Sequence, residues 1–131
     1  MKKLLTEWRK YLKEGQGSDF GNALEEEFGV VVEMGDPKWG DEYEPHIVPI
    51  DSIVVPKEKR GQGIGSQIME RLIDWADENN YILGLDPSSD FGSSVTKLRK
   101  FYGRFGFVRN LGRKKDYRTR LAMIRYPGSK R

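Results

Sequence analysis

The chain contains no cysteine. Disulfides, thiolate zinc sites and cysteine nucleophiles are therefore excluded. Histidine is scarce as well, with His46 the single example. A Ser-His-Asp triad would have to use it, and no G-x-S-x-G elbow accompanies it. A catalytic zinc site usually draws on several His or Cys ligands, so no metal site is expected. No apolar run approaches the roughly 20 residues needed to span a bilayer. The stretch Met1 to Glu14 starts basic, but charged residues interrupt its apolar positions, unlike a signal peptide. The expectation is a cytoplasmic protein without a membrane partner.

What is present suits one domain of ordinary size. Of 131 residues, 37% are hydrophobic and 11% aromatic, enough for one core, and 33% are charged, enough for a solvated surface. The net charge of +3 suits an anionic ligand as well as a nucleic acid. One domain is expected over 1–131, with helices in 1–28 and a polar, frayed tail at 127–131.

Apolar periodicity sets the expected order. Leu4, Leu5, Trp8, Tyr11 and Leu12 fall at helical spacing, and Gly15-Gln16-Gly17 ends that helix. Ser18 or Asp19 caps a second helix bearing Phe20, Ala23, Leu24 and Phe28. Val30 to Met34 reads as a strand, and Ile47 to Val55 as another, with Pro49 indicating an edge or a bulge. After a glycine-rich turn, Ile64, Ile68, Met69, Leu72, Ile73 and Ala76 define a long helix that Asn79-Asn80 stops. A strand at Tyr81 to Leu85 comes next. Ser93 or Ser94 then caps a helix with Leu98, Phe101, Tyr102 and Phe105, ended by Gly106. Phe107-Val108 starts a strand, Asn110 to Arg118 is a basic loop, and Leu121 to Tyr126 is a last strand. This alternation implies an α/β fold with a mixed, partly parallel central sheet and helices on its faces.

The informative segment runs from Ile53-Val54-Val55-Pro56 through Lys57-Glu58-Lys59 to Arg60-Gly61-Gln62-Gly63-Ile64-Gly65-Ser66. It is a strand, a glycine turn and a helix start. Helix N-termini present free N–H groups and a positive dipole end, which attract phosphate. Glycines let the backbone approach the anion, and Arg60 adds a fixed charge. A Walker loop fails because no Lys precedes Ser66. A dinucleotide fingerprint fails because its third glycine position falls on Ser66. R-x-x-G-x-G is met by Arg60, Gly63 and Gly65. A plain turn is the bland alternative. A second segment, Leu98-Arg99-Lys100-Phe101-Tyr102-Gly103-Arg104-Phe105-Gly106-Phe107, fits L-x-x-F-Y-x-x-x-G-F.

With these two motifs in this order, the chain resembles the GNAT family of acetyl-CoA-dependent N-acyltransferases, from about Ile50 to Phe107. The resemblance implies splayed middle strands, acetyl-CoA as co-substrate and a primary-amine acceptor attacking the thioester directly. It implies that Arg60, Gly61, Gln62, Gly63, Ile64, Gly65 and Ser66 bind the pyrophosphate. It places the backbone of Ile53, Val54 and Val55 beside the thioester and pantetheine arm, and the Tyr102 hydroxyl beside the sulfur. Family members usually place a strand before the two N-terminal helices; here two helices are expected and no clear leading strand. Their pantetheine-contacting Asn falls near Val95, where Ser93, Ser94 or Thr96 could substitute; Ser94 is the chosen candidate. Homodimers occur in the family.

The leaving thiolate needs a proton or a hydrogen bond, and Tyr102 is the candidate donor. A phenol pKa of about 10 lies above the roughly 8.5 of a thiol, so hydrogen bonding is as plausible as transfer. The attacking ammonium must lose a proton. Asp51 shares strand parity with Ile53 and Val55 and is the candidate base, with Glu33 and His46 as others.

On the acceptor side, Asp36, Asp41, Glu42 and Glu44 around Trp39 and Tyr43 could hold a cationic amine, or form a solvated loop. Asp86 to Gly92 could shape the acceptor pocket. Arg109, Arg113, Lys114, Lys115, Arg118 and Arg120 could meet RNA, DNA or an acidic protein, or form a flexible basic hairpin near the cofactor's phosphates. Two functions stay open at this point: an active N-acetyltransferase, and a GNAT-like module without catalysis that binds a protein or nucleic acid.

Overall fold

A computed structural model describes residues 16–38, 45–87 and 94–130. The expected helix over Leu4 to Leu12, the acidic-loop residues Trp39 to Glu44, the loop residues Ser88 to Gly92, and Ser93 lie outside these residues. The elements are α1 (Gln16–Phe28), β1 (Val31–Met34), β2 (Ile47–Val54), α2 (Ile64–Asn79), β3 (Ile82–Leu85), α3 (Val95–Gly103), β4 (Val108–Arg109) and β5 (Met123–Arg125). Single 3-10 turns lie at Lys57–Lys59 and Gly112–Lys114. The strands form one sheet in the order β1-β2-β3-β5-β4. β2 and β3 are parallel with α2 between them in the chain, and the other neighbours are antiparallel. This is the mixed, partly parallel α/β arrangement expected from the order of periodicities. No described helix is long and apolar enough to cross a membrane.

The core arises from helical and strand periods. On α2, Ile68, Met69, Leu72, Ile73 and Ala76 are all buried, and Asn80 ends the helix at φ 58° with its N–H on the Ala76 and Asp77 carbonyls. These side chains join Leu24 of α1, Leu98 and Tyr102 of α3, and Val32, Met34, Val48, Ile50, Leu83, Leu85 and Met123 of the sheet. Ile47, Ile82 and Ile124 form a second cluster on the opposite face, where Leu121 lies over Gly84. All three described helices contribute to the first cluster.

Three local expectations differ from the structure. Gln16 and Gly17, read as a helix end, begin α1. Gly17 is buried, and a Cβ there would run into the Gly35 carbonyl, so this glycine serves close packing. Ser18 and Asp19, read as caps, lie inside α1, and the Ser18 hydroxyl and N–H both reach Asp36, at 3.3 and 3.2 Å. Pro49 lies in an interior strand, not at a sheet edge. β1 has ended opposite it, and its carbonyl accepts the Gly35 N–H at 2.9 Å, so the missing donor interrupts no ladder bond.

The tail, expected to fray, is tied down. Gly128 N–H donates to Asp77 Oδ1 at 3.0 Å, and the Ser129 carbonyl accepts from Arg125 Nη2 at 2.7 Å. Arg125 is completely buried in β5. It also donates to the Phe105 carbonyl and to Asp77, both at 2.7 Å, and so joins β5, α2, the end of α3 and the tail.

Candidate active site

The site begins where β2 outruns β3. Their last pair is Ile50–Leu85, and β2 continues to Val54. A bulge sits at the same place. Met34 pairs with Ile50 and Glu33 with Ser52, leaving Asp51 as the extra residue. The bulge breaks the parity that grouped Asp51 with Ile53 and Val55: Asp51 is exposed, whereas Ile53 and Val55 are buried. Val32 N–H donates to Glu25 Oε1 at 2.8 Å, away from β2. The Val32–Ile53 pair therefore exchanges no backbone bonds, and the Ile53 N–H points away from β1, on the side where β3 has already ended.

Past Val54 the chain makes the Lys57–Lys59 turn and enters the glycine loop. Arg60 Nε donates to the Val55 carbonyl at 3.0 Å, folding the loop back onto the strand end. Lys59 Nζ donates to the Phe28 carbonyl at 3.1 Å and so caps the C-terminus of α1. The sequence showed no sign of this tie, which depends on a residue 31 positions away. Gln62 Nε2 donates to the Glu58 carbonyl at 3.2 Å. Gly61 and Gly63 adopt φ 78° and 75°, the left-handed region that disfavours a side chain. Gly63 is the N-cap of α2 and brings no capping side chain, and the first turn holds no acid. The N–H groups of Ile64, Gly65 and Ser66 thus have no intrahelical acceptor.

A cavity of about 230 Å³ opens there, lined by Val55, Lys59, Arg60, Gly61, Gly63, Ile64 and Gly65. A Cβ at Gly61 or Gly63 would meet nothing within 4 Å. An open, cation-edged cradle with free helical donors fits a pyrophosphate.

Helix α3 closes one side. A Cβ at Gly65 would lie 3.7 Å from Phe101 Cζ, so α3 packs on the first turn of α2. Phe101 meets Tyr102 and Phe105 edge-on, with centroids 5.4 and 5.3 Å away. Tyr102 is 5% exposed, and its ring tilts against Phe107 at 5.8 Å. Burial pushes its phenol up to about 12. Tyr102 is therefore a neutral hydrogen-bond donor throughout the physiological range. Ser94 is the N-cap of α3, with Oγ accepting the Lys97 N–H at 3.2 Å.

The candidate bases separate. Glu33 and Asp51 are both exposed, Asp51 as the bulged residue and Glu33 on β1 beside it. His46 precedes β2, whose eight residues put roughly 25 Å between it and Val55. The structure does not bring His46 to the glycine loop.

The basic segment is a built loop. Asn110 is buried and donates through Nδ2 to the carbonyls of Asp116, Thr119 and Leu121 at 3.1, 3.3 and 3.2 Å. Its Oδ1 accepts the Asp116 N–H at 2.7 Å. Arg118 binds Asp116 through Nε and Nη2, at 3.0 and 2.8 Å, and the Arg118 guanidinium holds the Asp116 carboxyl below its usual range. Only the position of Asn110 just after an expected strand hinted at this role. Replacing Asn110 with Ala removes a donor from one buried carbonyl and two part-buried ones. It is expected to cost about 2–3 kcal/mol and to speed tryptic cleavage at Arg113 to Lys115, read by urea melts and limited proteolysis.

The acetyltransferase (GNAT) domain model matches residues 21–109. The chain therefore belongs to the GNAT acetyltransferase family. No curated protein matches it. Among solved structures it is similar to one from Corynebacterium glutamicum ATCC 13032, described as histone acetyltransferase HPA2 and related acetyltransferase. That likeness has 21% identity and a TM-score of 0.48, covering 76% of this chain and 57% of that one. It is also similar to Arabidopsis thaliana Naa50 in complex with the bisubstrate analogue CoA-Ac-MVNAL, with 20% identity and a TM-score of 0.44, covering 73% of this chain and 62% of that one. The chain thus matches less than two thirds of the length of either structure.

Proposed function

We propose that this chain is an N-acetyltransferase that moves an acetyl group from acetyl-CoA to a primary amine by direct attack. The observation that carries the reading is the Arg60–Ser66 cradle, opening beside the point where β2 outruns β3. Arg60, Gly61, Gln62, Gly63, Ile64, Gly65 and Ser66 hold the pyrophosphate. Ser94, at the start of α3, contacts the pantetheine arm. Bound acetyl-CoA supplies the activated acyl group as a thioester. The Ile53 N–H, pointing away from β1, offers a donor to the carbonyl oxygen as charge develops there. Val54 and Val55 continue that edge. Asp51, exposed at the bulge, takes the ammonium proton directly or through water. Positioning of two substrates in one gap supplies much of the rate.

Tyr102 acts as hydrogen-bond donor to the departing sulfur. Its pKa of about 12 makes full proton transfer to a thiolate near 8.5 unfavourable by more than 3 units. Tyr102→Phe is expected to lower kcat on the order of 10²-fold while leaving CoA affinity within about 3-fold, measured by steady-state kinetics and calorimetry. The same shift sets a pH dependence of stability. The folded phenol titrates at about 12 and the unfolded one near 10, so the folded state holds the proton more tightly. The associated stability of about 2–3 kcal/mol is whole below pH 10 and is lost between about pH 10 and 12. Urea melts of Tyr102→Phe are expected to lack this part of the alkaline decline.

The direct test is release of CoA thiol from acetyl-CoA in the presence of an amine panel. The chain has no cysteine, so a thiol reagent reports CoA alone. Amine-dependent thiol release supports the reading. CoA binding without release for any amine favours a binding module instead.

A further inference from the structure

A larger opening lies away from the glycine cradle. It has a volume of about 530 Å³, and Pro45 and Ile82 line it from the sheet. Lys114 and Lys115 line it from the basic loop, with Tyr117, and Tyr126 lines it from the end of β5. Pro45 and Ile82 lie at the starts of β2 and β3, so the length of β2 separates this groove from Val55 and the cradle.

Its two tyrosines are unusually open. Tyr117 is 83% exposed and Tyr126 39%. The Lys115 ammonium stands over the Tyr117 ring, 5.4 Å from its centroid. Arg113, Lys114, Lys115 and Arg120 are exposed, and none forms an ion pair with a carboxylate among the described residues. The acid within the loop, Asp116, is engaged by Arg118 and the Tyr126 hydroxyl. The Asn110 hydrogen bonds hold these groups on a fixed scaffold.

We propose that this groove binds single-stranded nucleic acid. Lysines and arginines contact the phosphates, and the exposed Tyr117 and Tyr126 faces stack bases. Unpaired cations alone would serve an acidic peptide equally well. An aromatic face held open beside them favours bases, because every base has a flat π-surface. The loop offers only a short 3-10 turn, too small an element to read a duplex through its major groove.

The test is fluorescence anisotropy with a labelled ten-nucleotide oligo-uridylate, a ten-residue polyglutamate and a short DNA duplex. The oligo-uridylate is expected to bind, and more tightly than the other two probes. Tyr117→Ala weakens it about 10-fold, and Tyr117→Phe retains affinity within about 2-fold. The double change Lys114→Gln, Lys115→Gln reduces the log–log salt slope by about 1.4, the effect of two lost phosphate contacts. The double change Lys97→Gln, Arg99→Gln removes two exposed cations on α3 and leaves affinity within about 2-fold. Thermal melting checks that each variant is folded. No oligo-uridylate binding overturns the proposal. So do equal binding of polyglutamate, indifference to Tyr117→Ala, and a loss from the α3 pair as large as that from the loop pair.

Discussion

Glutamate at Gly63 and Gly65 is expected to lower affinity for CoA at least about 100-fold while the protein remains folded. Gly63 sits at φ 75°, and space beyond its missing Cβ is open. The conformational cost of any side chain there is about 1–2 kcal/mol, the same for alanine as for glutamate. Gly65 lies inside α2, and a Cβ there would make ordinary contact with Phe101. The fold therefore tolerates both changes. Affinity does not, because each carboxylate enters a cradle lined by Arg60 and helical N–H groups that attract phosphate. At about 4 Å and an effective dielectric near 20, charge repulsion is about 4 kcal/mol. Gly63→Ala separates the two effects. It shares the stability loss of Gly63→Glu but keeps most of the affinity, as melting and calorimetry on the same samples would read.

Arg125→Met is expected to destabilise the chain by about 3–5 kcal/mol, a large share of an ordinary domain's stability. The Arg125 side chain is fully buried, and its ion pair with Asp77 at 2.7 Å is shielded on that side. Its loss takes a donor from the Phe105 and Ser129 carbonyls and the cation from the Asp77 carboxylate, which keeps the Gly128 N–H. Asp77 is 28% exposed on its side chain, so Asp77→Asn is expected to cost less, about 1–2 kcal/mol. A double-mutant cycle by urea denaturation should give a coupling above about 1 kcal/mol. Additive effects would show that the two groups act separately.

Much of the fold was legible because local physics sets it. The period of Ile68, Met69, Leu72, Ile73 and Ala76 determines both α2 and the face it buries. The glycine loop was legible for the same reason: left-handed φ at Gly61 and Gly63, leading into a helix with no capping side chain, is a local matter. What escaped the sequence depends on distant partners. Gly17 reads as a breaker until the Gly35 carbonyl is seen pressing on it. Asp51 shares parity with Ile53 in the sequence, and only pairing with β1 shows the bulge that turns it outward. Nothing in the sequence singles out Arg125 within its strand, because its burial depends on Asp77, 48 positions earlier. Asn110 reads as the first residue of a loop, whereas its four hydrogen bonds organise that loop.

The proposed reaction rests first on the Arg60–Ser66 cradle holding the pyrophosphate of acetyl-CoA. The sharpest check is calorimetric titration of acetyl-CoA into the intact chain, beside the chain carrying both Gly63→Glu and Gly65→Glu. One-to-one binding on the order of micromolar is expected for the intact chain, and it disappears in the folded double variant. Absence of binding by the intact chain, or binding that survives both substitutions, would contradict this assignment.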